Sequence, residues 1–129
     1  MDTIYLGAAP GTTWALTPEE AEEHLQVRFP GMESWLKHAP VSDKDYVDFD
    51  VEVDGEVRQC SYFGGGQLIL RDGDPAVWAD TIAWFLGLLP PEARTVAMVA
   101  ANPDNVRVVP PGSSTSEIEG LLQSLFDLD

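Results

Sequence analysis

The chain has 129 residues, with 22 acidic and seven basic side chains and a formal net charge of −15. Hydrophobic residues make up 44%, too many for a disordered acidic tail and enough, at this length, for one α+β domain spanning 1–129. Such a charge repels nucleic acid and anionic membranes, which leaves basic proteins and metal cations as charged partners.

Cys60 is the one cysteine, so no intrachain disulfide can form. Met1-Asp2-Thr3-Ile4 carries no basic region followed by a long apolar run, and no secretory leader is expected. The longest strongly apolar stretch, 77–89, is interrupted by Asp80 and Thr81 and is too short to span a membrane. These features predict a reducing, cytoplasmic setting.

Residues 4–6 read as a short strand, followed by a turn at Ala9-Pro10-Gly11 and a second short strand over 13–16. Thr17-Pro18-Glu19-Glu20 predicts a helix start, with Thr17 as N-cap, Pro18 in the first helical position and Glu20 closing a capping box. Glu19, Glu20, Glu22 and Glu23 crowd the first turns, where the helix dipole favours negative charge. Ala21, Leu25 and Arg28 share one side, and Pro30-Gly31 ends the helix. Met32, Trp35 and Leu36 predict a further helical turn or two.

An acidic hairpin follows. Strand 46–53 meets strand 56–63 through Asp54-Gly55, a dipeptide suited to a type I′ turn. A two-residue loop sets Phe49 opposite Cys60 and Val47 opposite Tyr62. Asp48, Asp50 and Glu52 alternate with Val47, Phe49, Val51 and Val53, so their carboxylates form a row on one face. Like charges on one face repel, so the row is either a solvated face or one that a basic partner meets. Gly64-Gly65-Gly66 makes the next turn, and 67–71 a third strand, giving an antiparallel meander with one wet face.

Asp74 is the N-cap of a central helix over 74–88. Its main stripe is Trp78, Ile82, Phe85, Leu86 and Leu89; a second stripe is Val77, Trp84 and Leu88. Most of the four tryptophans are read as core; Trp84, whose stripe points away from the main one, is the candidate for a surface, and the core reading of it stays open. Residues 95–101 read as a strand buried on both faces, and 106–109 return as its hairpin partner after the turn at Asn102-Pro103-Asp104-Asn105. Ser114-Thr115-Ser116-Glu117 caps a last helix. The fold expected is an antiparallel meander and a C-terminal hairpin packed against the central helix, with N- and C-terminal helices.

No catalytic, metal or cofactor signature stands in the chain, so no catalytic residue, metal site or cofactor is expected. Asp50-Val51-Glu52-Val53-Asp54-Gly55 imitates the start of a calcium loop, but its twelfth position is Ser61 and the valine alternation demands a strand. The glycine run is followed by Gln67 and a strand rather than by the helix of a phosphate loop. Cys60 lies on the apolar hairpin face, away from any pattern shared with His24 or His38. Asp80 becomes a candidate acid or base only if it is buried beside a second titratable group.

The acidic run from Asp43 to Glu56 and the Glu19–Glu23 cluster hold eleven of the 22 acids. If the first helix lies beside the hairpin, they form one continuous negative field that speeds capture of a basic protein. The leading expectation is an immunity protein that blocks a basic toxin such as a nuclease. Its contact set is Asp45, Asp48, Asp50, Glu52 and Asp54, with Tyr46 as an aromatic anchor. Another reading is a regulatory or anti-defence protein that mimics the charge of DNA.

The predicted order from Thr17 to Leu128, α-β-β-β-α-β-β-α, is similar to that of the small acidic chaperones of type III secretion. The resemblance covers element order alone, and the two predicted N-terminal strands fall outside it. It implies a homodimer formed through the central helix, with Val77, Trp84 and Leu88 at the interface, and a secreted protein as partner.

Overall fold

The structure, a computed structural model, describes residues 3–126. The leader reading at Met1-Asp2 and the end of the resemblance at Leu128 lie outside the described residues. The elements are β1 Ile4–Ala8, α1 Pro18–Arg28, β2 Glu33–Ala39, β3 Lys44–Val53, β4 Glu56–Phe63, β5 Gln67–Leu70, α2 Pro75–Leu86, β6 Thr95–Val99, β7 Arg107–Val109 and α3 Thr115–Phe126. The strands form one seven-stranded antiparallel sheet in the order β2-β3-β4-β5-β1-β6-β7. The α+β class is the one expected, but the meander and the C-terminal hairpin are parts of a single sheet, stitched together by β1 between β5 and β6.

The hairpin forms as its residues dictate. Asp54 and Gly55 take φ of 56° and 81°, both left-handed as a type I′ turn requires. Phe49 stands opposite Cys60, and Val47 opposite Tyr62. The helix starts are equally local. Thr17 Oγ1 accepts from the Glu20 N–H and Glu20 Oε1 accepts from the Thr17 N–H. Ser114 and Glu117 repeat the box before α3, and Asp74 caps α2 through the Val77 N–H.

One face of the sheet carries the core. Ile4, Leu6, Val47, Phe49, Tyr62, Leu68, Leu70 and Val99 are buried against Trp78, Ile82 and Phe85 of α2, Leu25 of α1, and Ile118 and Leu122 of α3. The Trp14, Tyr62 and Phe85 rings meet at its centre, with centroids 5.6–6.3 Å apart. Gly73 is required there, because a Cβ at that position would collide with the Trp78 indole. The residues between these core positions point to the opposite face, which no helix among the described residues covers. Ile69, on that face, is buried yet lies outside the core cluster.

The structure corrects the expected elements in several places. Residues 32–36 do not extend the helix; β2 occupies 33–39 and pairs with β3 from Glu33↔Asp50 to Ala39↔Lys44. The segment between Gly31 and Pro40 is too short for a stable helix, and a ladder to β3 satisfies its backbone. From Thr17 onward the order is therefore α-β-β-β-β-α-β-β-α, one strand more than the chaperone resemblance requires. Residues 13–16 form only a single bridge, Trp14↔Gly65, because the Trp14 side chain turns into the core. Strand β6 alternates instead of being buried on both sides: Thr95, Ala97 and Val99 face the helices, while Val96 and Met98 are half-buried on the helix-free face. Helix α2 ends at Leu86, with Gly87 as C-cap.

Candidate functional site

The helix-free face is where the acidic row lies. Cross-strand register arranges it in rows. One runs Trp35–Asp48–Ser61–Ile69–Tyr5–Met98 from β2 to β6. The next runs Glu33–Asp50–Gln59, and Glu52 stands opposite Val57 at the hairpin end. Asp48, Asp50, Gln59 and Ser61 floor an open cleft of about 530 Å³, walled by Trp35, Lys37 and Arg71.

The acids of the row are not equivalent. Lys37 Nζ donates to Asp48 Oδ2 at 3.0 Å, and the buried Ser61 hydroxyl donates to Oδ1 at 2.7 Å. Arg71 in turn donates to Ser61 Oγ at 3.2 Å. The hydrogen bond to Asp48, and then its charge, raise the Lys37 pKa and hold the ammonium charged. Asp48 is thus a neutralised structural group. Asp50 and Glu52 have no cation within salt-bridge distance among the described residues, and Glu33 stands directly opposite Asp50.

The other predicted contact residues are scattered. Tyr46 is on the same face, half-buried, its ring stacked on Phe63 at 4.5 Å. Asp45 precedes it in the strand and so points the other way; it meets His38 Nδ1 at 2.7 Å, while Asp43 meets Nε2 at 3.1 Å. Asp54 is held in the turn. The glutamates of α1 lie on the helix-bearing side, where Glu22 accepts from Ser34. The Asp48–Asp50–Glu52 row is therefore across the sheet from the α1 glutamates, while Asp45 of the same acidic run shares their side, so the run is divided between two faces rather than joined to α1 as one patch.

The chemistry elsewhere is quiet. Cys60 is buried, and desolvation pushes its thiol up to about 12. Asp80 is exposed, bound to Arg28 at 2.7 Å and within 3.5 Å of the Thr115 hydroxyl, so it is a surface ion pair rather than a buried acid. Val77, Trp84 and Leu88 are half-buried and pack in part on the core. The Arg28 guanidinium lies over the Trp84 ring, 5.0 Å from its centroid. Trp84, left open between core and surface by the sequence, is half-buried, and Trp35, at 44% exposed, is more open to solvent.

Sequence reasoning missed Lys37, Ser61 and Arg71. The signal for Ser61 was present, because the register that sets Phe49 opposite Cys60 also sets Asp48 opposite Ser61. No family model, curated protein or solved structure matches the chain. Among the described residues no helix is long and apolar enough to cross a membrane.

Proposed function

We propose that the chain is a protein-binding inhibitor that captures a basic protein on the helix-free face of its sheet. In its most concrete form it is a cytoplasmic immunity protein for a basic toxin such as a nuclease. The observation that carries this reading is the contrast within one row of acids. Asp48 is neutralised from inside by Lys37 and Ser61, whereas Glu33, Asp50 and Glu52 make no ion pair among the described residues, although Lys37, Arg71 and Arg28 line the clefts around them. Glu33 and Asp50 face each other across a strand pair, which costs stability rather than adding to it. A basic partner removes that cost and is drawn in by the field of a chain carrying −15.

Tyr46 and Trp35 supply aromatic area on the same face, of the kind that anchors protein interfaces. Within the contact set read from sequence, the binding charge sits on Asp50 and Glu52, now joined by Glu33. Asp48 holds the floor in place. Nucleic acid and membrane surfaces are not partners in this reading, since both are anionic. The test is charge reversal at Asp50 and Glu52 in a binding assay with the captured partner. Lower affinity in a protein that still melts normally supports the reading, and unchanged affinity removes the face from it.

A further inference from the structure

We infer that the partner is engaged by strand addition: an extended segment alternating basic and aliphatic residues pairs with the free edge of β2. The inference rests on the binding reading above and names its mode.

Strand β2 is the last strand of the sheet. It is bonded to β3 alone, and among the described residues nothing pairs its outer edge. It is seven residues long, against three for β7 at the other end. Long open edges are usually blunted by charged side chains, lysine above all, or by a proline, a bulge or a covering helix; the lysine of this edge, Lys37, is turned onto Asp48 of β3. Prolines stand only outside the strand, at Pro30 and Pro40, and the seven register pairs to β3 run without a bulge. The edge also carries two large apolar side chains, one on each face. Trp35 is 44% exposed on the helix-free face and Leu36 is 49% exposed on the other.

Charge selects the occupant. A second copy of the chain brings its own −15 to the edge and is repelled. Glu33 and Asp50 oppose each other with no ion pair among the described residues, and the one ammonium on β2, Lys37, is already bound to Asp48. An incoming strand therefore gains most from arginine or lysine on the Glu33–Trp35 side, where a guanidinium can pair with Glu33 and lie on the Trp35 ring. On its other side an aliphatic residue covers Leu36. Backbone hydrogen bonds supply affinity and the alternate side chains supply selectivity.

The test titrates the whole protein, at low salt, with a short synthetic peptide alternating arginine and valine. A control peptide keeps every arginine and replaces each valine by proline, which retains the charge and removes backbone donors. Strand addition predicts amide shifts and slowed hydrogen exchange within 33–39, a change in Trp35 fluorescence, and about tenfold or weaker binding of the control. Equal affinity for both peptides, or shifts centred on 50–56, overturns strand addition while leaving the acidic face as a binding surface. No binding of either peptide overturns both.

Discussion

Lys37 on the edge strand reaches across β2–β3 to Asp48, with 3.0 Å between Nζ and Oδ2. That contact, with the Ser61 hydroxyl on the other carboxylate oxygen, turns the first acid of the row into part of the scaffold. Among the described residues the acids after it carry no such partner. Electrostatics on this face is therefore divided between a group that holds the sheet and groups that make no ion pair among the described residues.

Asp48 and Asp50 should respond differently to alanine. Asp48→Ala leaves the buried Ser61 hydroxyl without its acceptor and should cost about 1–3 kcal/mol. Asp50→Ala should change stability by no more than about 0.5 kcal/mol. Urea denaturation of the two variants checks the difference.

The fold was legible where local chemistry decides it. Thr17 with Glu20, Asp54-Gly55 and the Phe49–Cys60 register each fix an element from within a few residues. Residues 33–39 were not legible, because an edge strand exposed on both faces shows little alternation and Trp35-Leu36 fits a helical turn as well. Missing β2 hid Lys37, so the acidic row read as uniformly unpaired. β6 misled for a related reason: Val96 and Met98 are apolar although no helix covers their face, so the run looked buried twice. The division of acids between two faces of the sheet depends on where α1 docks, which no local pattern in the chain specifies.

Cys60 should be inert in the native protein. Burial holds its pKa at about 12, and the thiolate is the reactive species. A thiol reagent at mildly alkaline pH should label it only at the rate of unfolding. Rapid labelling of native protein would show that the hairpin opens locally.

Arg28 joins α1 to α2, through Asp80 at 2.7 Å and the Trp84 ring at 5.0 Å. Arg28→Ala should cost about 1 kcal/mol and shift tryptophan emission to the red as Trp84 gains water. Unchanged emission would mean that the ring is covered by something else.

Two capping boxes predict an acid-side loss of stability. Backbone and then side-chain hydrogen bonds from Thr17 hold Glu20 below its ordinary value of 4.5, and Ser114 does the same to Glu117. The unfolded state then binds more protons than the folded one, so stability rises with pH across this window. The contribution is fully present above the ordinary glutamate range and is lost as pH falls through the depressed values. The Glu20→Gln/Glu117→Gln variant should melt below the parent at neutral pH, with the gap closing in acid.

The most direct test is affinity capture from the source organism's lysate at low and high salt, with the parent chain and the Asp50→Lys/Glu52→Lys variant side by side. A basic protein should be retained by the parent at low salt, released by high salt, and missed by the variant at both. Its toxicity when expressed alone, and relief of that toxicity by the parent chain, would make the immunity reading specific. The same proteins retained by parent and variant, or nothing retained by the parent at low salt, would contradict the claim that these acids bind a partner.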